Sequence, residues 1–339
     1  MENLNSEKAI LIAEIGGNHE GSLSQAKDLL LSAGEHGADI VKFQSYSGEG
    51  LVNKNIRPER HKHFNNLMLK DEEWLELAEF ANQAGICFSS SIWDAHYFTL
   101  LDEYISVYKV GSGDLNNFNL LRKFIETDKP LIISTAMANL DMVTRVYDYI
   151  QSNFPSFLND SKLGILQCSA IYDNPSLSHV HLRAMDTLKG FFPCKIGFSN
   201  HAIGINPTLT AIARGAEIIE FHYTFNKENS SYRDHKLSFD KDDLILVDKF
   251  RNEINDILGN GNKHILDEEQ EHISEFRRGV YLSRDLSKGD RVKEADLIFL
   301  RPEHGISMWK PYQEIIGRKA IKDIKSLEPL SFSFFEMNE

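Results

Sequence analysis

Two lysines and two histidines stand at or near the carboxyl ends of short apolar runs in this sequence. Lys42 and Lys109 each follow apolar residues, and His201 and His222 come at the ends of two later runs. An unpaired ammonium is costly to bury, so each lysine requires a carboxylate partner or an anionic ligand. Two imidazoles that face one cavity can hold a divalent metal and leave positions for water and substrate. These residue types favour a site that binds an anion beside a metal.

The two lysines admit three interpretations. Either they pair with Glu14, Glu20 or Asp114 inside the fold, or they bind phosphate and carboxylate groups, or one forms a Schiff base, as in barrel aldolases. Serine hydroxyls at the other run ends favour anion binding, because hydroxyl and ammonium donors together make a cradle for phosphate. The serines with this placement include Ser112, Ser134 and Ser199.

The histidines also admit a simpler interpretation. A single histidine at a strand end is more often hydrogen-bonded than metal-bound, so two histidines alone are a weak metal signal. His19 lies in "GGNHEG" and can simply support a tight turn. The groups "HKH" (61–63) and "HVH" (179–181) lie in polar or amphipathic stretches, and we expect them at the surface.

Eight apolar runs must position these side chains. Each is apolar at its start and polar or small at its end, which is typical of strands buried on both faces of a parallel sheet. The runs are 9–17, 38–44, 86–92, 107–113, 130–136, 163–170, 195–200 and 217–224. Segments with helical spacing lie between them, among them 22–37, 70–85, 139–154 and 176–192. Eight strand–helix units predict a (β/α)8 barrel, an α/β fold whose active site lies at the carboxyl ends of the strands. The main alternative is a doubly wound open sheet.

Composition and charge narrow the class of protein. The chain has 339 residues, of which 42% are hydrophobic and 26% charged, and its net charge is −13. This acidity argues against a nucleic-acid surface but allows a locally basic site for a small anion. Three widely spaced cysteines without a CxxC pair predict reduced thiols rather than disulfides or a zinc site. No run approaches a membrane span and no signal peptide opens the chain, so we expect a cytoplasmic protein without a membrane partner.

The pattern of the sequence changes after about residue 260. We predict that 1–260 form the barrel, that the polar, acidic stretch 261–278 is a linker, and that 279–339 form a small β-rich domain. Short strands in this last part are broken by the turns "SKGD", "RPEHG" and "SLEP".

Five motifs, in this order, resemble the sialic acid synthase (N-acetylneuraminate synthase) family over nearly the whole chain. They are "IAEIGGNHEGSLSQAKDLLLSAGEHGADIVKFQ", "YKVGSGDLNNFNLLRKFIETDKPLIISTAM", "FSNHAIG", "EFHYTF" and "DHKLS". The tail "SRDLSKGDRVKEADLIFLRPEHGIS" resembles the antifreeze-like (SAF) domain joined to these synthases. The resemblance implies condensation of phosphoenolpyruvate with an N-acylated mannosamine-type sugar, giving a nine-carbon 2-keto acid and free phosphate.

The resemblance also implies a role for each matched side chain. His201 and His222 are expected to hold a divalent metal, commonly manganese in this family, with Mg²⁺ or Co²⁺ as alternatives. Glu20 is the candidate for proton transfer, beside the catalytic lysines. The residues expected to hold phosphoenolpyruvate are Lys42, Lys109, Ser112, Ser134 and Ser199. Those expected to face the amino sugar are Gln44, Asp114, Tyr172, Asp234 and Arg301. The family's tail arginine, here Arg301, reaches a neighbouring subunit's sugar, which implies a domain-swapped homodimer.

Departures from the family pattern gather around the sugar and the second layer of the site. Asn200 replaces the usual Asp before the first metal histidine, and Ala170 replaces a polar residue. Further changes are "STAM" for "STGM", "YD" for "YP", "SSIW" for "STPF" and "SSYRD" before Asp234. We therefore expect an unusual acceptor, such as a diacetamido-trideoxyhexose precursor of legionaminic- or pseudaminic-type acids. The alternatives are a lysine-dependent pyruvate aldolase and a catalytically weakened sugar-binding paralogue.

Overall fold

Eight parallel strands form the centre of the larger unit in a computed structural model of the chain, which describes residues 4–172, 176–228 and 232–336. They are β1 (Ile10–Gly16), β2 (Ile40–Ser45), β3 (Cys87–Ile92), β4 (Tyr108–Val110), β5 (Leu131–Ser134), β6 (Leu163–Cys168), β7 (Lys195–Asn200) and β8 (Ile218–His222). Seven of the eight apolar runs contain one of these strands in full, and β2 begins within the run 38–44 but extends one residue beyond it, to Ser45.

The strand order identifies a barrel. It runs β3-β2-β1-β8-β7-β6-β5-β4, so β1 pairs with both β2 and β8. The remaining seam is bridged by the Ser106 N–H, which donates to the Phe88 carbonyl at 3.1 Å, and by the Ser89 hydroxyl, which donates to the Val107 carbonyl at 2.7 Å. The predicted (β/α)8 barrel is confirmed. The doubly wound alternative is wrong, because such a sheet reverses its strand order at a switch point.

Helices surround the strands of this unit. They are α1 (Leu23–Glu35), α2 (Gly48–Leu51), α3 (Pro58–Leu67), α4 (Asp71–Gln83), α5 (Ala95–Leu101), α6 (Phe118–Ile125), α7 (Leu140–Asn153), α8 (Pro155–Asn159), α9 (Ala184–Phe191), α10 (Asn206–Ala213) and α11 (Lys241–Leu258). Ser22 caps α1, since its hydroxyl accepts the Gln25 N–H at 3.3 Å. The helix predicted over 176–192 is shorter than expected. A 3-10 turn occupies Leu177–His179, and His181 takes a left-handed conformation with φ of 50° before α9 begins.

Alternation along the strands divides the barrel interior into two levels. Ile10 and Ile12 of β1 pack with the inward-facing residues of other strands, Ile40 and Ile218 among them, in an apolar core inside the barrel. The residues between them, such as Leu11, face the layer of helices. Because successive side chains point to opposite faces, the next inward positions after this apolar level lie nearer the carboxyl ends. Those positions carry the polar groups of the site.

The second unit has its own core. The unit spans Gly259–Glu339 and begins with the helix α12 (Asp267–Phe276), which lies within the stretch predicted as a linker. A three-stranded antiparallel sheet follows, formed by β9 (Gly279–Leu282), β10 (Leu297–Leu300) and β11 (Ile306–Ser307).

In the part of the chain that the structure describes, no helix is both long and apolar enough to cross a membrane.

Candidate active site

A cavity of about 570 Å³ opens at the carboxyl ends of the barrel strands. Its wall includes the last inward-facing side chains of the sheet, from Glu14 on β1 to His222 on β8. All the site residues predicted from the sequence line this cavity, with the exception of Glu20 and Arg301. The predicted anion-binding, sugar-facing and metal-binding groups therefore share one chamber.

The two lysines are buried in the wall of this cavity. Lys42 donates to the Ser91 hydroxyl at 3.2 Å and forms an ion pair with Glu14. Lys109 donates to the Ser134 hydroxyl at 2.6 Å and to the Val110 carbonyl at 3.2 Å. Burial lowers the pKa of Lys42 to about 8, an effect that the neighbouring Glu220 opposes. The cavity thus has two ammonium groups within reach of serine hydroxyls, as an anion cradle requires.

Glu220 lies between the two lysines, although no role was predicted for it from the sequence. Its carboxylate lies 3.5 Å from Nζ of Lys42 and 3.6 Å from Nζ of Lys109, and it accepts the Ser199 hydroxyl at 2.8 Å. Burial opposes ionisation of this carboxyl, but the lysines and Ser199 outweigh burial and lower its pKa. A signal for it was present, because Glu220 lies two residues before His222 on one strand and so shares its inward face.

The two predicted metal histidines lie on adjacent strand ends and face each other. Their ring centroids are 5.3 Å apart at an interplanar angle of 70°. Burial lowers the pKa of both imidazoles, that of His201 to about 3, so both are neutral at pH 7. Nδ1 of His222 is buried and has no hydrogen-bond partner among the described residues. A neutral imidazole with an unused ring nitrogen is the form that binds a metal.

These histidines fit a divalent metal as a two-residue ligand set. Within residues 4–172, 176–228 and 232–336, no group of three or more His, Cys, Asp and Glu residues is arranged to hold a metal ion. The nearest carboxylate to the unpartnered nitrogen is Asp234, whose Oδ2 lies 3.8 Å from Nδ1 of His222. Protein ligands from His201 and His222 would leave several coordination positions for water or substrate oxygens.

Tyr172 and Arg233 form the side of the cavity next to Asp234. The Arg233 guanidinium lies 3.9 Å from the centroid of the Tyr172 ring, and its Nε donates to Oδ1 of Asp234 at 3.2 Å. Burial raises the pKa of Tyr172, so its hydroxyl is neutral and can donate a hydrogen bond. Stacked and paired in this way, the three side chains present both donors and acceptors, as sugar hydroxyls require.

Several of the sequence departures lie in the cavity wall. Trp93 and Ala170 both line it, close to the predicted sugar-facing residues. Burial raises the pKa of Asp114, against the hydrogen bonds it accepts from Asn117 and Trp93. Asn200 turns back on its own loop, where its Oδ1 accepts the Ala202 N–H at 3.0 Å and its Nδ2 donates to the Ala202 carbonyl at 3.3 Å.

Glu20 and Arg301 lie elsewhere. Oε1 of Glu20 is 3.2 Å from Nε2 of the buried His235, and its backbone is left-handed with φ of 51°. Arg301 belongs to the second unit, where its guanidinium lies 5.9 Å from the centroid of the Phe276 ring. Their predicted roles in proton transfer and at the sugar stay predictions.

Comparison with known proteins gives matches over both units. Residues 29–263 match the model of the NeuB family, and residues 277–336 match the SAF domain. The N,N'-diacetyllegionaminic acid synthase of Campylobacter jejuni is 33% identical over 95% of this chain and 98% of that protein. The N-acetylneuraminate-9-phosphate synthase of Homo sapiens is 32% identical over 76% of this chain and 73% of that protein. The crystal structure of an N-acetylneuraminic acid synthetase from Leptospira borgpetersenii, in complex with citrate, matches with a TM-score of 0.68 at 28% identity and covers 79% of this chain and 90% of that chain.

Proposed function

The chain belongs to the NeuB family, and we propose that it is a nonulosonic (sialic-type) acid synthase that condenses phosphoenolpyruvate with an N-acylated amino sugar and releases phosphate. One observation carries this proposal: two buried lysines and two neutral, buried histidines share a single cavity at the carboxyl ends of the barrel strands. The lysines suit the anionic substrate, and the histidines suit a metal beside the carbonyl of the second substrate.

Phosphoenolpyruvate is assigned to the lysine side of the cavity. Lys42 and Lys109 would hold its phosphate and carboxylate together with the hydroxyls of Ser112, Ser134 and Ser199. The Ser112 hydroxyl already accepts the Ala136 N–H at 3.0 Å, which fixes the turn after β5 beside it. Glu220 also lines the cavity and lies within 3.6 Å of both ammonium groups, so it restrains their positions before the anion binds.

The acceptor sugar is assigned to the part of the same cavity that is lined by Gln44, Asp114, Tyr172 and Asp234. There its open-chain aldehyde would lie near His201 and His222. A divalent metal held by these two histidines would supply Lewis acidity to polarise the aldehyde oxygen, with manganese as the first choice and Mg²⁺ or Co²⁺ as alternatives. The side chains of this wall orient the aldehyde toward carbon 3 of phosphoenolpyruvate.

The reaction then needs a new carbon–carbon bond and a broken carbon–oxygen bond. Carbon 3 attacks the aldehyde carbon, the aldehyde oxygen takes a proton to become a hydroxyl, and positive charge develops at carbon 2. Water adds at carbon 2, and the tetrahedral intermediate expels phosphate by C–O cleavage. Lys42 and Lys109 stabilise the negative charge on the departing phosphate.

We propose that the acceptor is a 2,4-diacetamido-trideoxyhexose rather than N-acetylmannosamine or its 6-phosphate. Support comes from the relative named as an N,N'-diacetyllegionaminic acid synthase and from the departures at Trp93 and Ala170, both of which line the cavity. An alanine where the family has a polar side chain removes one hydrogen-bond partner for a sugar hydroxyl, which suits a deoxy sugar.

Phosphate release across a sugar panel tests this proposal. The protein is incubated with phosphoenolpyruvate, Mn²⁺ and a set of 2-acetamido and 2,4-diacetamido hexoses, each with and without a chelator. We expect release with a diacetamido sugar and its loss with the chelator. Absence of release with every sugar would overturn the proposed activity, and binding without turnover would point to the weakened paralogue.

A lysine-dependent pyruvate aldolase is the second candidate. The observation that favours it is the pKa of Lys42, which burial lowers to about 8, since a Schiff base requires a neutral amine. This candidate predicts covalent trapping of pyruvate on Lys42 or Lys109 by borohydride. It also predicts turnover that is unaffected by a chelator.

A further inference from the structure

Two segments at the rim of the barrel are joined through Asn18. The first, 17–21, is the turn after β1, and the second is the 3-10 turn Arg233–Leu237 after β8. Nδ2 of Asn18 donates to the Tyr223 carbonyl at 2.8 Å and to the Ser238 hydroxyl at 3.0 Å. The Ser238 hydroxyl in turn donates to the backbone carbonyl of Asp234 at 2.7 Å. The first segment therefore holds the backbone that carries a cavity carboxylate.

Glu20 makes a second connection between the same segments. Its Oε1 lies 3.2 Å from Nε2 of His235, and Nδ1 of that ring lies 2.7 Å from the Thr224 hydroxyl. His235 is 2% exposed, so its ring is held between Thr224 and Glu20 inside the protein. We call these three residues the Thr224–His235–Glu20 chain.

The backbone of the first segment is shaped for this contact. A Cβ on Gly17 would lie 2.8 Å from Cζ of Tyr232, the residue before the second segment, so a side chain at position 17 would displace the Tyr232 ring. Glu20 itself adopts φ of 51°, a left-handed conformation that costs a residue with a side chain about 1 kcal/mol or more. This conformation belongs to a hydrogen-bonded turn, in which the Glu20 N–H donates to the Gly17 carbonyl at 2.9 Å. The turn places the Glu20 carboxylate against His235.

We infer that Glu20 is a positioning residue, which acts through His235 to fix Asp234 in the wall of the cavity. Asp234 directly precedes His235 and is 3% exposed, and its Oδ2 lies 3.8 Å from Nδ1 of His222. The inference rests on the proposed function, because it assigns Asp234 to the acceptor sugar. It replaces the proton-transfer role predicted for Glu20 with a structural one.

The inference predicts different effects on the use of the two substrates. The lysines that would hold phosphoenolpyruvate lie on β2 and β4, and neither strand belongs to the two joined segments. Loosening the Thr224–His235–Glu20 chain should therefore impair use of the sugar and leave phosphoenolpyruvate binding largely intact. Glutamine at position 20 keeps an oxygen that accepts a hydrogen bond from the imidazole, whereas alanine removes it.

The test compares E20A, E20Q and a matched control, E49A. Glu49 forms a similar pair with a histidine, 3.3 Å from Nε2 of His61, but on α2 and α3 rather than beside Asp234. We expect E20A to raise the acceptor KM by about tenfold or more, the loss expected for a hydrogen bond to a charged group. E20Q should stay within about threefold of the wild type, and E49A should be unchanged.

Amide hydrogen exchange gives a readout that does not depend on turnover. The N–H groups of His235 and Ser238 donate within the turn, to Tyr232 at 3.4 Å and to His235 at 3.1 Å. In E20A both amides should exchange faster than in the wild type. In E20Q and E49A both amides should exchange at the wild-type rate. This measurement works even with a protein that proves to have no synthase activity.

Two results would overturn the inference. One is a fall in kcat of about a hundredfold or more in E20Q with an unchanged acceptor KM, since this is the behaviour of a group that transfers a proton. The other is an E20A protein with wild-type kinetics and wild-type exchange at His235 and Ser238. The wild-type protein in the same assay separates the two possible failures. If it releases phosphate, a contrary result with E20A or E20Q counts against this inference alone. If it releases none, the proposed function has failed.

Discussion

The imidazole rings of His201 and His222 lie 5.3 Å apart between centroids and are inclined at 70° to each other. Burial lowers the pKa of both, so neither ring carries a charge at neutral pH. The aromatic ring of Tyr172 contacts both imidazoles edge-on, with centroids 5.0 and 6.4 Å away. The pair is therefore held neutral and close together, as ligands of one ion must be.

Removal of either imidazole should abolish metal-dependent turnover. H201A or H222A leaves one protein ligand, which cannot hold a divalent ion at ordinary concentrations. We expect phosphate release to fall at least about a hundredfold, and the metal content of the purified protein to fall with it. The control is H96A, which removes an exposed imidazole 2.7 Å from Asp71. Full activity in the two alanine variants after exhaustive chelation would contradict a metal site here.

The sequence predicts the positions of these histidines because strand alternation is strict. Inward residues of β8 follow one another as Ile218, Glu220 and His222, so an apolar side chain gives way to a charged one and then to an imidazole. The same rule predicts the eight strands and the barrel, since each buried run is short and ends in polar residues.

The features that the sequence did not predict depend on contacts between distant segments. The pairing of Glu220 with two lysines arises only when β2, β4 and β8 converge inside one barrel. Glu20 follows a strand end in the sequence, yet its side chain meets His235, more than two hundred residues away. Helix α9 also falls short of its pattern, because His181 has a left-handed backbone.

Because of Lys42, kcat/KM for phosphoenolpyruvate should decline at alkaline pH. Burial lowers the pKa of Lys42 to about 8, and the protonated amine is the form that attracts an anion. As pH rises from 7 to 9, the charged fraction falls from roughly nine-tenths to one-tenth. We expect kcat/KM for phosphoenolpyruvate to decline by about tenfold over this interval, with the midpoint near pH 8. The measurement is a pH series at fixed metal concentration.

K42R serves as the control for this alkaline decline in kcat/KM. Arginine stays charged throughout the same range, so the decline above pH 8 should disappear even where the overall rate is lower. If kcat/KM declines over the same pH range in K42R, the titrating group is not Lys42.

Asn200 distinguishes a weakened metal site from an altered sugar site. In N200D the carboxylate can still accept the Ala202 N–H, which Asn200 now accepts at 3.0 Å, but it adds a negative charge one residue before His201. We expect Mn²⁺ affinity, measured by titration without substrates, to rise about tenfold, the effect of roughly 1.4 kcal/mol of added attraction. An unchanged Mn²⁺ affinity with a new preference among acceptor sugars would instead assign position 200 to the sugar.

Arg301 tests whether the second unit completes the site of a partner chain. We expect R301A to raise the KM for the sugar and to leave the KM for phosphoenolpyruvate unchanged, since the predicted contact of this guanidinium is with the sugar alone.

If the tail of one copy serves the barrel of another, R301A and H201A should complement each other when they are refolded together. A mixed dimer then has one intact barrel facing one intact tail. Random pairing of equal amounts should restore about a quarter of the wild-type sites, because half of the dimers are mixed and each has one working site of two. A mixture that is no more active than the two variants assayed separately would show that each chain supplies its own arginine or that Arg301 has no part at the sugar.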